Sequence, residues 1–296
     1  MIPCPRSRFT IPLPGGGSLA LGARTFVMGV VNVTPDSFSD GGQALDPGRA
    51  IAQVLAMAAS GADIVDIGAE STRPSAVAID ADEEWRRLRP VLKGLTGRVG
   101  VPLSIDTYRA DTARRAIDEG VAIVNDISGL GYDPGLGRIV AARGAALVLM
   151  HTRGRSRDMY EEARYSDVTT EVTRELQRRI ERAVGCGIAL ERLIVDPGLG
   201  FAKRADHSLA ALAGAQRFAA LGRPVLIGPS RKSFLTAATG DRPAGERDWA
   251  TAAAVTAAVL GGAHIVRVHR VPEMVDVVRV ADAIRERAAA QFPAPK

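Results

Sequence analysis

Short apolar runs recur along the 296 residues at near-regular intervals, and each is followed by a stretch of helical spacing. The runs at residues 25–31, 63–67, 102–105, 122–125, 146–150, 193–195, 225–227 and 265–268 are rich in Val, Ile and Leu and lack polar alternation. That pattern predicts strands covered on both faces, as in a parallel sheet. The helical period is clearest over residues 167–185, where Val168, Val172, Leu176, Ile180 and Val184 fall four apart with charged residues between. Gly185 and Gly187 stop that helix, and Gly61, Gly120, Gly144, Gly222 and Gly262 close others just ahead of the next strand.

Eight strand–helix alternations with no linker predict the α/β class and a single (β/α)8 TIM barrel over residues 25–288. A doubly wound open sheet is the alternative. It usually carries a GxGxxG turn after its first strand, and none is present. Residues 1–24 form an N-terminal segment. Within it, residues 9–21, with Gly15, Gly16 and Gly17 in the middle, predict a short β-hairpin capping the barrel bottom. Residues 289–296 read as a frayed C-terminal tail.

Composition narrows the class. Hydrophobic residues make up 46% and charged residues 24%, which suits a large packed core and excludes a disordered chain. No apolar run reaches the roughly 18 residues of a membrane span. The opening MIPCPR lacks the basic-then-apolar order of a signal peptide, and Cys4 and Cys186 sit in no CxxC spacing. A cytoplasmic protein with two reduced thiols is the expectation. The net charge of +5 comes almost wholly from Arg, since Lys stands only at 93, 203, 232 and 296. No run of five basic residues occurs, so no nucleic-acid partner is expected. An anionic small substrate suits the charge better.

In a parallel barrel, reactive groups sit at the C-terminal ends of the strands. Here nearly every predicted strand leads to a polar residue. The first ends in Asn32, the second carries Asp66 and leads to Glu70, and the third ends in Asp106. The fourth ends in Asn125 and Asp126, the fifth in His151 and the sixth in Asp196. Ser230, Arg231 and Lys232 follow the seventh, and the eighth carries Arg267 and His269. Asp106, Asn125 and Asp196 together suit a planar heterocycle with N–H donors and ring acceptors, with a metal cage as the rival reading. Lys232 reads as a compact point charge, a Schiff-base amine or a solvated surface lysine. Arg267 and His269 alternate on one strand and suit a phosphate or pyrophosphate, with a core histidine as the other reading of His269. His151 lines the cavity or packs inside, and His207 and His264 carry no hypothesis. Two long loops, residues 33–45 and 71–80, hold hydroxyls, Gly, Pro and charge, as lids do.

Seven ordered motifs now resemble the dihydropteroate synthase family, within the pterin-binding barrel superfamily. They are MGVVNVTPDSFSDGG at 28–42, DIGAESTRP at 66–74, SIDT at 104–107, VNDIS at 124–128, DPGLGFAK at 196–203, SRK at 230–232 and RVH at 267–269. The resemblance spans residues 25–279. It implies condensation of 6-hydroxymethyl-7,8-dihydropterin pyrophosphate with p-aminobenzoate, giving 7,8-dihydropteroate and pyrophosphate in folate synthesis. It places Asp106, Asn125, Asp196 and Lys232 on the pterin, and Asn32, Arg267 and His269 on the pyrophosphate and Mg2+, with Asn32 as the metal ligand. Thr72, Pro74, Phe201 and Ser230 fall on the p-aminobenzoate side, while Asp36, Ser37, Phe38 and Arg73 belong to loops that close over the substrates. A homodimer is implied as well.

The implied chemistry is an SN1-like displacement with Asn32, Asp106, Lys232, Arg267 and a protonated His269 as the catalytic set. Ala69, Ser75, Pro229 and Arg270 depart from the family pattern. Ser75 and Pro229, near the p-aminobenzoate side, motivate a second reading, a pterin-binding paralogue that does not condense. A pterin-dependent methyltransferase is a third, against which the SRK motif and the TPDSFSD loop both count.

Overall fold

The computed structural model describes residues 6–34, 46–71, 78–155 and 158–291. Strands β1 (Phe9–Pro12) and β2 (Ser18–Leu21) form an antiparallel hairpin with Ile11 opposite Leu19. Gly15 and Gly16, at φ of 75° and 89°, make its left-handed turn. Then come β3 (Phe26–Asn32), β4 (Ile64–Gly68), β5 (Leu103–Asp106), β6 (Ile123–Asp126), β7 (Ala146–Met150), β8 (Leu193–Asp196), β9 (Leu226–Ile227) and β10 (Ile265–Val268). They pair in parallel in the order β8-β7-β6-β5-β4-β3-β10-β9. The bridge Val195–Val225 joins the two ends, with Val195 N–H donating to Pro224 O at 2.9 Å. The result is the expected barrel.

Around it lie α1 (Pro47–Ala59), α2 (Ala81–Leu95), α3 (Ala110–Asp118), α4 (Leu136–Arg143), α5 (Val168–Gly185), α6 (Ala205–Ala213), α7 (Thr236–Thr239), α8 (Asp248–Leu260) and α9 (Val271–Gln291). Several begin at an aspartate cap: Asp46, Asp80 and Asp167 accept from the amides of Gly48, Glu83 and Thr170. Each such cap is worth about 1 kcal/mol. In α5 the expected stripe holds through Val168, Val172, Leu176 and Ile180, all buried. Val184 departs from it and is 46% exposed, while Ala183 is buried in its place. A step of four overshoots the helical turn by about 40°, so the stripe rotates off the core within a few turns. The last helix continues to Gln291, past residue 288, where the periodic pattern was expected to end.

Strand side chains alternate between two cores. Outward residues such as Val65, Ile67, Val124, Leu147, Val195 and Val266 pack under the helices. Inward residues near the strand starts, including Met28, Ile64, Ile123, Ile194 and Ile265, pack with Ile11, Leu13, Leu19 and Leu21 of the hairpin region. The hairpin therefore plugs the N-terminal end of the barrel, and the opposite end is left for polar groups. No helix among the described residues is long and apolar enough to cross a membrane.

Candidate active site

Two residues beyond the bottom layer, the inward positions change character. Ile64 gives way to Asp66, Ile123 to Asn125, Ile194 to Asp196 and Ile265 to Arg267. A period of two turns each of these residues into the barrel above the hydrophobic plug. Strand register then sets them side by side. Asn32 pairs with Gly68, Gly68 with Asp106 and Asp106 with Asn125, forming one row along the rim. Glycine at 68 leaves room there, because a Cβ would stand 3.2 Å from that of Asp106.

Arg267 holds the centre. Its Nε donates to Asp66 Oδ2 at 2.7 Å and a terminal nitrogen donates to Asp106 Oδ2 at 2.8 Å. Asn125 Nδ2 donates to the same Asp66 oxygen at 2.9 Å. Asp66 is fully buried, whereas the Arg267 and Asp106 side chains are 21% and 16% exposed toward the mouth. Burial pushes the Asp106 carboxyl well above the carboxylate range, opposed by Arg267 and reinforced by Asp66. Asp66 is the residue whose role the sequence reading left unassigned. The motif Ile-Val-polar, repeated on β4, β6, β8 and β10, is the signal that would have marked it.

On the facing side stand Asp196 and Lys232. Asp196 accepts from Gly198 N–H at 2.7 Å, and burial raises its carboxyl while Lys232 opposes that shift. The Lys232 ammonium donates to Leu199 O and lies 4.7 Å from the centre of the Phe201 ring. Burial brings it down from the usual lysine value to about 8, with Asp196 acting against the shift. This excludes the solvated-surface reading of Lys232. The residue before it, Arg231, has a left-handed φ of 57°. Asp248 holds the Arg231 guanidinium at 2.7 and 2.9 Å, and Thr251 Oγ1 accepts from its amide at 3.0 Å. A non-glycine residue pays for that conformation, and the surrounding bonds keep it.

Ser230 and His269 are bonded to one another. Ser230 Oγ accepts from the His269 amide at 3.2 Å and lies 2.8 Å from Nδ1. The arrangement that satisfies both has the hydroxyl donating to Nδ1, which leaves Nε2 carrying the ring proton. Burial, with Arg267 and Arg231 nearby, lowers His269 to about 3. Burial thus favours the uncharged, N–H-donating form of His269 over the protonated one expected from the sequence.

Of its two readings, His151 takes the packed one. It is fully buried and bonded to Lys203 and Glu175, so it does not line the cavity. Arg270, one of the departures, stands just ahead of α9 and pairs with Glu273 of its exposed first turn at 2.9 Å. Thr72, Arg73, Pro74, Ser75, Asp36, Ser37 and Phe38 lie outside the described residues. No cluster of three or more His, Cys, Asp or Glu that could hold a metal occurs among the described residues, which disfavours the metal-cage reading.

The geometry fits what comparison with known proteins finds. Residues 28–269 match the family of pterin binding enzymes. The dihydropteroate synthase of Synechocystis sp. is 42% identical over 277 residues, 93% of this chain and 96% of that protein. The one from Mycobacterium leprae is 47% identical over 263 residues, covering 87% and 92%. The crystal structure of Burkholderia cenocepacia dihydropteroate synthase complexed with 7,8-dihydropteroate is 38% identical with a TM-score of 0.85, covering 96% of this chain and 99% of that one. A buried acid–amide–base ring at the barrel mouth, in a chain matched over most of its length by such relatives, assigns the chain to the dihydropteroate synthase family of pterin-binding enzymes.

Proposed function

We propose that this chain condenses 6-hydroxymethyl-7,8-dihydropterin pyrophosphate with p-aminobenzoate, releasing 7,8-dihydropteroate and pyrophosphate. One observation carries the reading. Asp106, Asn125, Asp196 and Lys232 converge at the barrel mouth of a chain similar to the Burkholderia dihydropteroate synthase that was crystallised with 7,8-dihydropteroate. Carboxylates and an amide carbonyl accept from the pterin N–H groups, and Lys232 donates to a ring acceptor. Phe201 and Ser230 border the aminobenzoate, and Asn32, Arg267 and His269 meet the pyrophosphate.

In the reaction the bond from the exocyclic methylene to oxygen breaks, and pyrophosphate leaves with the electron pair. The electron-rich pterin supports the resulting cation. The neutral aryl amine attacks the methylene carbon, forms the C–N bond and gives up a proton to water. Such a displacement needs positioning and charge stabilisation and no covalent enzyme intermediate. Arg267 supplies fixed positive charge and His269 an N–H donor.

Asn32 stands at the rim, and no group of three or more His, Cys, Asp or Glu that could hold a metal occurs among the described residues. That donor set fits Mg2+ carried on substrate phosphates better than a resident ion. The ion would neutralise charge on the leaving group.

An assay with the pterin pyrophosphate, p-aminobenzoate and Mg2+ tests the reading. Stoichiometric release of pyrophosphate and appearance of dihydropteroate are expected. Pterin binding without pyrophosphate release would establish the non-condensing paralogue instead.

Lys232 gives the pH dependence. Its proton is lost above about 8 because burial disfavours the charge, with Arg267 adding to the shift and Asp196 and Asp106 opposing it. Its donor role is complete below that value and fades as pH rises through it. A kcat/KM profile for the pterin substrate should therefore show an alkaline limb near 8. A flat profile to pH about 10, where an ordinary lysine titrates, would contradict the assignment.

A homodimer through α8 and α9 completes the proposal. Most apolar residues of these helices serve the core, yet Trp249, Val280 and Ile284 are 89%, 61% and 50% exposed. Val280 and Ile284 are one turn apart and so share a face. In sedimentation experiments the wild type should run as a dimer and Val280→Glu as a monomer. A monomeric wild type would refute the dimer.

A further inference from the structure

The segment after β8 is folded around a side chain that the condensation chemistry leaves unused. Lys203 is 1% exposed. Its ammonium donates to Phe201 O at 3.0 Å and Gly198 O at 3.2 Å, and lies 2.9 Å from His151 Nδ1. Three acceptors match the three protons of an ammonium, and these bonds, with Asp196 nearby, oppose the burial that pulls Lys203 well below the ordinary lysine value.

The network continues outward. His151 is fully buried, and its Nε2 lies 2.8 Å from Glu175 Oε2. Burial, together with the neighbouring Lys203 charge, holds His151 well below its ordinary value, so the ring is neutral. Its one proton sits on Nε2 facing Glu175, and its Nδ1 lone pair faces Lys203. Against the cost of burial, His151 and Arg153 keep the Glu175 carboxylate well below its usual range. Arg153 in turn donates to Glu171 at 2.9 Å and stacks 4.0 Å from the Tyr165 ring centre. A continuous chain of charge-assisted bonds thus runs from α5 to the inside of the loop.

That loop has no regular structure of its own. Gly198, Gly200 and Ala202 all have left-handed φ, at 66°, 78° and 48°. A Cβ at Gly198 would stand 2.0 Å from His151 O, so the backbone is pressed onto the network. The outer side of the loop presents the Leu199 carbonyl and the Phe201 ring to Lys232. The two carbonyls held by Lys203, those of Gly198 and Phe201, stand on either side of Leu199 in the chain.

We infer that Lys203 is a positioning residue for the aminobenzoate side of the site: it holds residues 198–201 from beneath, so that Phe201 stands against Lys232 before the amine arrives. The inference rests on the proposed condensation and on the place of Phe201 in it. Asp196 belongs to β8 and keeps its place through the ladder to β7, so the pterin side depends less on Lys203.

Lys203→Met retains the buried stem and removes all three donors. The expected result is a rise in KM for p-aminobenzoate of about 10-fold or more, with a smaller loss of pterin affinity through Asp196 and Lys232. An unchanged amine KM, or an equal loss of pterin and amine binding, would overturn the inference. Should Lys203→Met fail to fold, Glu175→Leu carries the test. Glu175 is 22% exposed, and its loss releases His151. A smaller rise in the same KM is expected, and none would overturn the inference. Phe201→Ala separates the two levels of the argument. If it leaves the amine KM unchanged, the place of Phe201 is wrong; if it raises KM while Lys203→Met does not, the positioning role is wrong.

Discussion

A guanidinium shared between two carboxylates inside a barrel is expensive to build, and much of this structure serves to build it. Arg267 reaches from β10 to Asp66 on β4 and Asp106 on β5, and Asn125 on β6 bonds to the same Asp66 oxygen. Five neighbouring strands, β10-β3-β4-β5-β6, are spanned by this one cluster. Taking such charges out of water costs several kcal/mol each, recovered only when the partners are in place. Removing one partner from such a cluster costs about 3–5 kcal/mol, because a buried charge is left alone. The barrel must therefore close with the correct register for these charges to be tolerable.

The hydrophobic plug is what makes the polar end affordable. At the bottom, the hairpin residues Ile11, Leu19 and Leu21 cover the inward Ile64, Ile123, Ile194 and Ile265. At the top, the same four strands present Asp66, Asn125, Asp196 and Arg267. Stability and chemistry are thus divided along each strand by a shift of two residues. Lys232 and Asp196 extend the polar layer across the mouth, with the loop after β8 supported by the His151–Lys203 network behind it. One side of the site is positioned by strand register and the other by a buried ammonium.

Much of this was legible in the chain. All eight strands fall within one residue of the expected starts, and several run one residue further. The expected strands stopped at Ile105, Asn125 and Val195, while the ladders continue through Asp106, Asp126 and Asp196. At Asp106 and Asp196 a polar side chain turned into the mouth interrupts hydrophobicity without interrupting the backbone bonds, whereas Asp126 accepts from the Ser128 and Leu130 amides of the following turn. Asp66 was harder to place, because its role depends on parity within a strand that otherwise reads as uniformly apolar. The neutrality of His269 depends on the desolvation and nearby arginines that only the packed structure supplies. The use of Lys203 is of the same kind, since its three acceptors come from a loop and a different strand end.

The most direct test of the central claim is a calorimetric titration of Asp66→Asn with the pterin pyrophosphate. Asp66 is fully buried, so its influence on the ligand passes through Arg267 and Asn125. Loss of its charge should release both, and pterin affinity in the folded variant should fall by about 10-fold or more. A folded Asp66→Asn protein with wild-type affinity would contradict the claim that this buried cluster sets the site.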